Sequence, residues 1–149
     1  MALYTTAWLE EPDDIKQPDK AVRLLVRKGK EQEVIFFFNE LIEKEKRLYQ
    51  DYSLGPGKGF WLEDVDGKAL LLDQVMAMAG QSLIHERMYF CMLSCFRNGG
   101  SVSYHYEEIL DIFAEYLEDA KIGVSQDSPD GEPYVFILSI QNGKVDEVW

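Results

Sequence analysis

The segment Tyr134–Trp149, YVFILSIQNGKVDEVW, decides how the rest of the chain is read. Tyr134 to Gln141 is an apolar run with aromatic and β-branched residues, the composition of a strand near the centre of a sheet. Asn142-Gly143 is the dipeptide that best tolerates the two positive φ angles of a two-residue hairpin. Lys144 to Trp149 then returns as an edge strand, where Lys144, Asp146 and Glu147 discourage further pairing. One turn earlier, Ser128-Pro129-Asp130-Gly131 places proline and glycine where a β-turn takes them, after a strand from Lys121 to Ser125. The C-terminal part is therefore predicted to be an antiparallel meander.

Upstream of the meander lies Tyr104–Ala120, YHYEEILDIFAEYLEDA. At the α-helical period Glu107, Glu108, Asp111, Glu115, Glu118 and Asp119 fall within an arc of about 120°. Tyr106, Ile109, Leu110, Phe113, Tyr116, Leu117 and Ala120 fall on an opposing arc. The spacing predicts an amphipathic helix with an acidic outer face and no lysine or arginine within the segment. Five like-charge pairs result (107/111, 111/115, 115/119, 108/111 and 115/118), each costing about 0.2–0.5 kcal/mol. Glu31 to Tyr52, the other long helical pattern, answers its acids through Glu40–Lys44 and Glu43–Arg47.

The charge is distributed in the same sense. The 149-residue chain carries a formal net charge of −12. Residues 1–50 hold nine basic and ten acidic side chains, whereas residues 98–149 hold two basic and eleven acidic ones. Such a field repels nucleic acid and anionic membranes and attracts basic partners. Hydrophobic content of 46% and aromatic content of 13% belong to a folded globule.

Between these landmarks the pattern is mixed. Ala2 to Leu9 suits a short strand, and Glu10 to Pro18 a turn. Asp19 to Lys28 reads as a short helix stopped by Gly29, although AVRLLVR equally suits a strand. Gly55 to Gly59 breaks structure and fits no phosphate-loop spacing. Phe60 to Leu72 reads as a hairpin turning at Asp66-Gly67; a calcium loop would lack its first carboxylate. Asp73 to Ala79 reads as a short helix. Ser82 to Arg97 is predicted as a helix with Ile84, Met88, Cys91, Met92, Cys95 and Phe96 on one stripe. The rival reading keeps MYFCMLSCF as a strand that turns at Asn98-Gly99-Gly100 and returns along SVSYHY. The expected fold is α+β: a single domain over 1–149, an antiparallel sheet with its C-terminal meander, and helices packed mainly on one face.

No catalytic signature is present. His85 and His105 are the only histidines and neither has a metal-ligand spacing. Cys91 and Cys95, among Met and Phe, read as small core residues rather than as activated thiols. Trp8, Trp61 and Trp149 read as core or sheet-face packing. The chain is thus expected not to be an enzyme and to use no cofactor or metal. No signal peptide or membrane span is visible, so a cytoplasmic location is expected. These features describe a small acidic protein that neutralises a basic protein partner and does not itself bind nucleic acid. Its most concrete form is an immunity or inhibitor protein blocking a nuclease-like bacterial toxin. Glu107, Glu108, Asp111, Glu115, Glu118 and Asp119 are the expected partner-binding residues, with Tyr104 beside them. The alternatives are a nucleic-acid mimic that inhibits a DNA-binding enzyme, a small enzyme using Cys91 or Cys95, or a non-catalytic structural or adaptor subunit.

Overall fold

A computed structural model describes residues 3–9, 21–48, 59–70, 87–98 and 101–149; the side chains of 44–48 and 101–105 fall outside that description. These residues form two antiparallel sheets and two α-helices, an α+β arrangement. The larger sheet contains β1 (Tyr4–Leu9), β6 (Cys95–Arg97), β7 (Ala120–Gln126), β8 (Tyr134–Gln141) and β9 (Lys144–Val148), in the order β6-β1-β7-β8-β9. The smaller contains β2 (Ala21–Leu25), β3 (Phe60–Asp64), β4 (Ala69–Leu70) and β5 (Met88–Leu93), in the order β2-β5-β3-β4. The expected single sheet is therefore two.

The meander forms as read. Asn142 and Gly143 have φ of 52° and 80°, as a primed hairpin turn requires, and Gln141 pairs with Lys144 across it. Gly131 N–H closes the preceding turn onto Ser128 O at 3.0 Å. β8 is an interior strand, but β7 lies at the centre of the sheet. On its outer face the Trp8 indole covers Gly123, where a Cβ would lie 2.3 Å from Trp8 Cε2.

The segment predicted as a helix from Ser82 to Arg97 is strand over its described part, in β5 and β6. Met88, Phe90, Cys91 and Met92 are all buried, because both faces of the small sheet are covered. Two-sided burial erases the alternation that marks a strand in sequence. The rival reading fails at its return, since Ser101 to Tyr106 opens a helix. Ser94 is the corner between the sheets: Leu93 ends in the smaller, Cys95 starts in the larger, and Ala7 N–H donates to Ser94 O at 2.7 Å. The helix reading of Asp19 to Lys28 likewise gives way to β2, which pairs with β5.

Helix α1 (Glu31–Leu48) turns Val34, Ile35, Phe38 and Ile42 into the core. Helix α2 (Ser101–Phe113) ends in Phe113, whose ring lies 4.7 Å from Phe90 of β5 and 6.3 Å from Phe38 of α1. One hydrophobic cluster thus joins both sheets and both helices. The Phe60–Asp64 and Ala69–Leu70 hairpin forms as expected, with Asp64 Oδ1 accepting from the N–H groups of Asp66 and Lys68 at 2.9 and 2.8 Å. The expected turn at Glu10–Pro18, glycine segment at Gly55–Lys58 and helix at Asp73–Ala79 lie outside the described residues, as does His85. No helix among the described residues is long and apolar enough to cross a membrane.

The smaller sheet also holds an ion pair. Glu63, 4% exposed, accepts from Arg23 Nε at 2.7 Å, from Arg23 Nη2 at 3.3 Å and from the Trp61 indole N–H at 2.8 Å. Removing one partner of such a pair strands the other charge in a dry environment. Arg23→Met should lower the unfolding free energy by about 3–5 kcal/mol, measured by urea denaturation. Adding Glu63→Gln, which retains an acceptor for Trp61 without the charge, should recover more than half of the loss.

Candidate partner-binding groove

The acidic row does not survive as one helix face. α2 stops at Phe113, tightens into a 3₁₀ turn over Ala114–Tyr116, and gives way to extended backbone at Leu117 (φ −106°, ψ 148°). Leu117 is wholly buried and bridges Val26, with Arg27 N–H bonded to Tyr116 O at 2.8 Å and Glu118 N–H to Leu25 O at 2.9 Å. Burying a leucine contributes about 1.5–3 kcal/mol, more than helix propensity offers at one position. Acids at the negative end of the helix dipole weaken a longer helix further.

Glu118 and Asp119 accordingly leave the helix and meet the chain's own arginines. Arg87 Nη2 lies 2.6 Å from Glu118 Oε1 and also donates to Val26 O. Arg27 Nη2 lies 3.2 Å from Asp119 Oδ1, and its Nε donates to Leu117 O at 2.7 Å. Asp119 Oδ1 further accepts from Asn142 N–H at 3.1 Å. Glu118 and Asp119 thus have internal cations, contrary to expectation, and the like-charge pairs 115/118 and 115/119 lose their helical geometry. Glu115 stays exposed but sits by the hairpin, its Cα 3.2 Å from where a Cβ on Gly143 would be. The Tyr104 side chain lies outside the described residues.

Glu107, Glu108 and Asp111 are brought together, and a residue assigned only to edge protection joins them. With Leu138 and Val145 they line a cleft of about 240 Å³ between α2 and β9, whose fourth carboxylate is Glu147. The hairpin sets this placement. Val145 pairs with Ile140 and Glu147 with Leu138, so Val145 and Glu147 share the face on which Ile140 and Leu138 are buried. The register was available from the Asn-Gly turn; the arrival of α2 above that face was not.

Glu107 is half-buried. Burial, and then the hydrogen bond it shares with Glu147, push its carboxyl up to about 7, against the lowering effect of the Tyr106 hydroxyl. Tyr106 donates to Glu107 Oε1 at 3.0 Å and accepts from Gln126 Nε2 at 3.1 Å. Burial foremost, and then Glu107, raise the Tyr106 hydroxyl well above its usual range. Near neutral pH the Glu107 carboxyl is therefore partly protonated.

The remaining candidates separate. Cys91 is buried, whereas Cys95 is exposed on β6 and is not the core residue expected. Trp61 is core and Trp8 covers a sheet face, but Trp149 is 73% exposed, its ring 4.7 Å from that of Phe136. No group of three or more His, Cys, Asp or Glu among the described residues is arranged to hold a metal ion. Comparison with protein-family models, curated proteins and solved structures finds no match to this chain.

A carboxyl whose pKa is higher folded than unfolded stabilises the fold below its unfolded value, and that contribution is lost as pH rises through the folded value. For Glu107 the window runs from the ordinary carboxylate range to about 7. Glu147→Gln should raise the melting temperature at about pH 8 by a few degrees, roughly 2–4 °C per kcal/mol of relieved repulsion. The gain should vanish near pH 5. Thermal scans at both pH values check this.

Proposed function

We propose that this chain is a non-catalytic binding protein that captures a basic macromolecular partner, in its most concrete form an inhibitor of a nuclease-like toxin. One observation carries the reading: four carboxylates line a cleft floored by Leu138 and Val145. Such a cleft suits the aliphatic stem and cationic head of a lysine or arginine, because the stem covers apolar surface while the head meets the acids. The net charge of −12 adds long-range steering that speeds encounter and weakens with salt.

This reading is narrower than the row of six acids. Glu118 and Asp119 are internal ties, so the partner surface is Glu107, Glu108, Asp111 and Glu147. A nucleic-acid mimic needs carboxylates spaced along an extended surface, and the shortening of the row speaks against that alternative.

The test is capture of a partner at low ionic strength, with elution by salt and identification of what elutes. Asp111→Lys should then slow association about tenfold at low salt, with the difference shrinking as salt is added, measured by stopped-flow mixing. Glu118→Lys should act differently, lowering thermal stability by opposing Arg87. Equal association rates for Asp111→Lys and the unaltered chain would overturn the proposal.

A further inference from the structure

We infer that the free edge of β9 is a docking strand for an extended, lysine- or arginine-rich segment of the partner, with cationic side chains at alternate positions entering the α2–β9 cleft. The inference rests on the basic-partner reading and specifies how that partner sits.

Its first support is the direction of the backbone. In a two-residue hairpin the residues flanking the turn exchange both hydrogen bonds, and bonded and non-bonded pairs then alternate. Gln141–Lys144, Ser139–Asp146 and Ile137–Val148 are the bonded pairs, so Lys144, Asp146 and Val148 aim their N–H and C=O groups at β8. Val145 and Glu147 aim theirs away from the sheet. β9 ends the sheet order, and no other backbone bond reaches either residue among the described residues. The unpaired backbone groups therefore belong to the two β9 residues whose side chains line the cleft.

The second support is charge complementarity. Residues of an added strand that lie opposite Val145 and Glu147 share their face, so positions i and i+2 of the incoming segment point toward Glu107, Glu108, Asp111 and Glu147. A second copy of this acidic chain would bring Asp146 and Glu147 against like charges, whereas a basic segment meets opposite ones. The charges that protect the edge from self-pairing thus select its partner.

The test uses two capped peptides of one composition, Thr-Lys-Thr-Lys-Thr-Lys-Thr and Thr-Thr-Lys-Lys-Lys-Thr-Thr, added at low salt to the full chain. Binding is followed by amide NMR shifts and hydrogen exchange. The alternating isomer should bind at least about fivefold more tightly, a difference near 1 kcal/mol. The Val145 and Glu147 amides should become protected, while those of Lys144, Asp146 and Val148 should not change. Val145→Pro removes one outward donor without touching the β8–β9 bonds and should abolish the preference; if that variant fails to fold, exchange in the unaltered chain decides. Equal affinities without new protection overturn strand docking and leave the basic-partner reading standing. Binding of neither peptide overturns both. A dimer of the free chain with the same two amides protected assigns the edge to a second copy and overturns the inference.

Discussion

The pairing of Val26 with Leu117 is the constraint on which most of this molecule depends. It ends the second helix, places a buried leucine between the sheets, and continues the ladder of the smaller sheet into the strand that opens the meander. Competing local preferences are weak by comparison. Leu, Glu and Ala are good helix formers, but their advantage is a few tenths of a kcal/mol per residue. A buried leucine and two backbone bonds outweigh it. The same event brings Glu118 and Asp119 to Arg87 and Arg27, which ties distant segments together.

Local chemistry was legible wherever it acted alone. Asn142-Gly143 and Ser128-Pro129-Asp130-Gly131 announced their turns, and with them the strands on either side. The helical pattern from Glu31 announced α1. What could not be read depended on burial from two sides. Met88 to Leu93 contacts core on both faces, so its apolar run lacks the period of a strand and imitates one stripe of a helix. The division into two sheets was hidden for a related reason, since Ser94 shows no turn signature in sequence.

The candidate site was half legible for a comparable reason. Glu107, Glu108 and Asp111 lie within two turns of one helix, where the wheel is a faithful guide. The internal cations of Glu118 and Asp119 could not be read, because Arg87 and Arg27 are 31 and 92 residues away. In sequence Glu147 reads as a guard on an edge, although its pairing with Leu138 puts it on the inward face. Its place in the cleft emerges only when α2 is laid across that face, bringing a second carboxyl against the first.

Ser94 has a mechanical meaning as well as a topological one. The backbone crosses between the sheets within a single residue, so an interior strand of the smaller sheet and an edge strand of the larger are one continuous polymer. Sliding one layer over the other would require stretching covalent bonds, not merely disengaging side chains. Force applied to either of these strands is therefore carried along the backbone into the other layer.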